Sequence, residues 1–165
     1  MADSRFVVRR HGADLATYTT EADALAAIRR DLSSKEPQVI ALSGFEIAKR
    51  DARGRVKRTL ASRELAAHLL GEPVERLGPW VPDPVEEFEA AIAVGRDFVF
   101  EITEEGDGWV LRVHFLRLDG RGKALGRDKL FLAWDRSRAA LEGRSRAFVG
   151  MADKVNAHVT FADAD

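Results

Sequence analysis

The chain contains no cysteine. That absence removes structural disulfides, thiolate nucleophiles, cysteine-type zinc sites and iron–sulfur ligation together. It suits a reducing compartment, and cytoplasmic residence is the expectation. Long apolar runs are also missing. Charges interrupt every stretch that approaches the ~20 residues of a membrane span, and Met1 to Val8 carries arginine without a signal-peptide core. No membrane association is expected.

Histidine is sparse: none of His11, His68, His114 and His158 stands three or four residues from another, as a helical metal site requires. Neither a metal nor a cofactor is expected. Nucleophile motifs are lacking too, since Leu42-Ser43-Gly44-Phe45 has no flanking glycine pattern of a nucleophile elbow. Gly120-Arg121-Gly122 with Lys123 lacks the G-x-x-x-x-G-K-[ST] of a phosphate loop and reads as a hairpin loop.

What is present is enough for one domain: 165 residues can bury roughly two thirds of the surface the unfolded chain exposes. Phe6-Val7-Val8, a turn at His11-Gly12-Ala13-Asp14 and Leu15 to Thr19 read as a hairpin. Thr20 then caps a helix with Leu25, Ile28 and Leu32 on its buried face. Val39 to Leu42, apolar on both faces, reads as the start of a central strand continuing through Phe45 and Ile47. Asp51-Ala52-Arg53-Gly54 turns that strand back through Val56, Arg58 and Leu60, and Ser62 is placed to cap a helix ended by Gly71 and Pro73.

Residues 71–84 hold four prolines and two glycines and read as a connector, pinned to the core by Trp80. Asp83-Pro84-Val85-Glu86 combines an N-cap acid, proline at the first helical position and a capping-box glutamate. Val85, Phe88 and Ile92 form the expected stripe of that helix, and Gly95 its stop. Alternation in Phe98 to Thr103 and Trp109 to Phe115 about Glu105-Gly106-Asp107-Gly108 marks a third hairpin. Leu130 to Trp134 supplies a third strand, and a helical region begins at Asp135 or Ser137, interrupted by Gly143 and Gly150.

Strand pairs followed by helices predict an α+β fold: an antiparallel sheet of hairpins and a C-terminal-half meander, packed with three to four helices. The chain reads as a single domain, 1–165, with two β-β-α-like halves joined at 71–84. The expected core is Leu25, Ile28, Leu42, Phe45, Phe88, Ile92, Phe100, Leu111, Val113 and Leu132.

A net charge of -1 conceals segregation. From Asp83 to Asp107 nine carboxylates face only Arg96, without the fixed carboxylate pair around a cleft that glycoside hydrolysis needs. The candidate binding surface is basic: Lys49, Arg50, Arg53, Arg55, Lys57 and Arg58 on one hairpin, with Arg63 beyond, and Arg121 and Lys123 on another running through 112–129. Arg112 and His114, on the same strand face, form a candidate anion grip.

Three readings stay open. The first is a non-catalytic binding or regulatory protein whose charged surfaces engage a protein partner or its own copy. The second is nucleic-acid binding by the basic hairpins, although they lack interleaved aromatics. The third is an enzyme with a site assembled from distant residues.

Overall fold

A computed structural model describes residues 4–32, 36–78 and 81–162. The chain divides into two compact units, Met1–Asp83 and Pro84–Asp165. Each builds its own four-stranded sheet, and the class is α+β.

In the first unit β1 (Arg5–Arg10) and β2 (Ala13–Tyr18) form the opening hairpin, followed by α1 (Glu21–Asp31). Thr20 caps α1, its Oγ1 accepting from the Asp23 N–H at 3.1 Å, one of the orphan donors at a helix start. After α2 (Pro37–Leu42) come β3 (Phe45–Arg50), β4 (Val56–Ala61) and α3 (Ser62–Leu70). The strand order β2-β1-β3-β4 is antiparallel throughout. Register puts Val8, Phe45, Ile47 and Leu60 on one face, all nearly inaccessible.

Two expectations fail here. Val39 to Leu42 is helix, not strand. Proline at the first helical position favours the turn. Ser43 ends it by donating from its hydroxyl to the Ile40 carbonyl (2.7 Å), and Gly44 at φ 79° redirects the chain into β3. Ser62 does not cap α3: the N-cap is Ala61, without a side-chain bond, and Ser62 itself has φ 49°. Gly71 closes α3 in the left-handed conformation (φ 69°) as expected of a C-terminal glycine. Arg29 adds a guanidinium bond to the Leu69 carbonyl (2.9 Å) at that end.

The second unit runs α4 (Pro84–Val94), β5 (Gly95–Glu105), β6 (Gly108–Leu118), β7 (Ala124–Asp135), α5 (Arg138–Asp153) and β8 (Val159–Phe161). Its sheet order is β7-β6-β5-β8, antiparallel except for β8, which lies parallel to β5. Asp83-Pro84 opens α4 as expected, but the buried stripe is Pro84, Phe88 and Ala91, and Val85 is exposed. Ser137 caps α5, which runs unbroken through Gly143 and Gly150. The core gathers Phe88, Phe98, Phe100, Leu111, Val113 and Phe148. Phe88 meets three of these rings edge-on, the arrangement aromatic quadrupoles favour.

Of the expected core, Leu25, Leu42 and Ile92 are half-buried and the other seven are buried. Trp80 lies outside the described residues. No helix among the described residues is long and apolar enough to cross a membrane.

Candidate functional site

The basic hairpin of the first unit is dispersed by its own geometry. Strand alternation places Lys49 opposite Arg58, while Arg50 points to the other face. Arg50 pairs with Asp14 (3.4 Å), and Lys49 lies over the Phe6 ring (5.8 Å). Arg55 and Lys57 both approach Asp51, at 3.5 and 3.6 Å. Arg63 serves the connector, donating to the carbonyls of Leu77 (3.2 Å), Gly78 (3.0 Å) and Val81 (2.7 Å). Arg53 and Arg58 are exposed and have no side-chain partner among the described residues.

The turn that carries Arg53 recurs in the second unit. Asp51-Ala52-Arg53-Gly54-Arg55 and Asp119-Gly120-Arg121-Gly122-Lys123 share the pattern D-x-R-G-[RK]. In the first, Asp51 Oδ1 accepts from the backbone N–H of Arg53 (2.9 Å) and Arg55 (3.0 Å). In the second, Asp119 Oδ1 accepts from Arg121 (2.8 Å) and Lys123 (2.9 Å). Each aspartate also bonds the backbone two ways, and the glycines sit at φ 78° and 80°, a conformation that suits glycine. The backbone donors hold the Asp51 carboxyl below its ordinary pKa, Arg55 contributing most and Arg53 and Lys57 reinforcing it against desolvation. An exposed aliphatic side chain follows each loop: Val56 (50 % exposed) and Leu125 (63 %).

Arg121 and Lys123 are exposed without side-chain partners among the described residues. Arg112, by contrast, is buried. Its guanidinium bonds Thr103 Oγ1 and Glu105 Oε1 and covers the Phe131 ring at 4.6 Å. His114 Nε2 lies 3.7 Å from Glu101 Oε1. The two residues share a sheet face, as alternation predicts, but their neighbours are the carboxylates of β5. The remaining histidines include His68, whose Nδ1 meets Glu21 at 3.0 Å. No group of three His, Asp or Glu able to hold a metal occurs among the described residues.

A cleft of about 640 Å³ lies in the second unit between α5 and the β5–β8 side of the sheet. Phe100, Ile102, Val149 and Phe161 form its apolar floor. Charged side chains of α5 stand along the rim: Arg138, Glu142, Arg146 and Asp153. Sequence reading missed this site because β8, one of its walls, is only three residues long, and its pairing joins segments some sixty positions apart in the chain. The charge spacing along α5 was the one legible signal.

The class these features define is a mostly antiparallel α+β protein of two compact units, each bearing the same basic hairpin turn. Comparison with known proteins finds no matching family model, no matching curated protein and no matching solved structure.

Proposed function

We propose that this is a non-catalytic binding protein, regulatory in role, whose basic hairpin turns engage an acidic surface on another protein. The observation that carries this reading is the recurrent D-x-R-G-[RK] turn. One arginine with no side-chain partner among the described residues, Arg53 or Arg121, stands at the same position of each. The aspartate locks the turn by two backbone bonds in both cases, so little loop entropy is lost on binding. A second copy of the chain supplies one acidic candidate surface, since α4 exposes Glu86 and Glu89. The cysteine-free sequence suits a cytoplasmic setting.

The neighbours of the arginines favour a protein over a nucleic acid. Val56 and Leu125 offer aliphatic contact beside the charge, whereas single-strand binders stack bases on aromatic rings. The exposed ring on the strand that leaves the second turn, Phe131, already carries Arg112 and, at 5.9 Å, Lys129.

The test is fluorescence anisotropy at low salt with two probes, a peptide alternating glutamate with leucine and a short DNA in duplex and single-stranded forms. The peptide should bind, and Arg53→Gln with Arg121→Gln should slow its association. Sedimentation of the protein alone tests the second copy as partner. DNA affinity that falls about 50- to 150-fold between 50 and 200 mM salt, the response to roughly four phosphate contacts, would replace this reading with the nucleic-acid one.

A further inference from the structure

The cleft of the second unit is chemically distinct from the basic turns. Its volume, about 640 Å³, falls within the roughly 300–1,000 Å³ of small-ligand sites. The floor is hydrocarbon and aromatic. Phe100 is fully buried, and Phe161 stacks on it at 5.7 Å with an interplanar angle of 30° while remaining 55 % exposed. An apolar group entering the cleft therefore meets an aromatic residue that is still partly open to solvent. Room for it comes from Gly150, where an added Cβ would find nothing within 4 Å.

The rim sets the polarity of the occupant. Arg138 and Glu142 neutralise each other at 3.4 Å, and Arg138 also lies over Trp109 at 5.3 Å. Ser145 Oγ donates to the Glu142 carbonyl at 2.7 Å and is not an available donor. What remains is one cation, Arg146, and one anion, Asp153, neither with a partner among the described residues. They are seven residues apart on α5, so they share a helix face about 10.5 Å apart along the axis. A simple anion would leave Asp153 facing it, and a simple cation would leave Arg146.

We infer that the cleft binds a short apolar peptide with both termini free, its carboxylate on Arg146 and its ammonium toward Asp153. An extended chain advances about 3.3–3.6 Å per residue, so three residues span the two charges. The guanidinium fork suits a carboxylate, and the central side chain lies over Ile102, Val149 and Phe161. This site is independent of the hairpin turns and stands or falls separately from them.

The experiment is isothermal titration of the full chain with the tripeptide Leu-Phe-Leu, its N-acetylated form, its C-amidated form and decanoate. Binding should be strongest for the free tripeptide, and blocking either end should weaken it about two- to fivefold, the range of a partly exposed ion pair. Arg146→Gln should erase the preference for a free carboxylate and Asp153→Asn the preference for a free ammonium. Gly150→Phe should abolish binding by filling the cleft, while Gly143→Ala on the same helix should leave it intact; thermal melts of both report that α5 still folds. Failure of the tripeptide to bind, equal affinity for the blocked forms, tighter binding of decanoate, or retention of binding by folded Gly150→Phe would each overturn the proposal.

Discussion

The ring of His11 occupies the space that a side chain on Gly44 would need. Both residues sit in the left-handed region, at φ 52° and 79°, and the His11 N–H donates to the Gly44 carbonyl at 3.0 Å. This contact joins the β1–β2 turn to the start of β3, and so fixes where the first sheet's two central strands meet. Glycine is required twice over, for the backbone angle and for the approach of the ring.

Gly44→Ala should therefore destabilise the first unit. The left-handed backbone alone costs about 1–2 kcal/mol, and the crowded ring adds a further 1–3 kcal/mol, roughly. The two parts separate in a double-mutant cycle by urea titration. In a His11→Ala background the same change should retain only the backbone part. An equal loss in both backgrounds would show that the ring does not set the cost.

Phe88 is the hub of the second unit's core, with ring centroids 5.7, 5.8 and 5.4 Å from Phe98, Phe100 and Phe148. Phe88→Ala should cost about 3–5 kcal/mol. Trp109 and Trp134 lie in the same unit and report its unfolding by fluorescence. A loss below about 0.5 kcal/mol, the scale of an ordinary surface change, would mean that α4 does not pack on this sheet through Phe88.

Turn chemistry made most of the fold legible. Asp-x-x-Gly at 51–54 and 119–122, and Gly106-Asp107, each locate a strand reversal that the register confirms. Asp83-Pro84 marks the start of α4 just as the second unit begins. Val39 to Leu42 was misread because four consecutive apolar residues carry no period; Pro37, Ser43 and Gly44, on either side, decide for the helix. The fate of each basic side chain depended on register. Arg112 is buried on its own face of the sheet because Glu105 and Thr103 of β5 and the Phe131 ring of β7 close around it, and no local pattern announces that. Likewise the cleft exists only after β8 returns to β5.

The Asp51 carboxylate offers a pH test of the hairpin turn. It accepts N–H bonds from Arg53 and Arg55 and lies near Lys57, and the Arg55 bond leads in lowering its pKa from the ordinary value. A group whose pKa is lower in the folded state binds its proton less readily there than in the unfolded chain. Its contribution is complete above the unfolded value, near pH 4 for aspartate, and is lost as pH falls through the folded value. Asp51→Asn keeps an oxygen able to accept the same N–H bonds but removes the charge. The wild-type protein should therefore be the more stable of the two at neutral pH, and the gap between their urea midpoints should close below about pH 4. Asp51→Ala, which removes the acceptor as well, should keep a deficit at every pH and speed hydrogen exchange at Gly54, whose N–H bonds the Asp51 carbonyl at 3.0 Å. A gap between wild type and Asp51→Asn that stays constant from neutral pH into the acid range would show that the turn draws on the shape of the side chain and not on its charge.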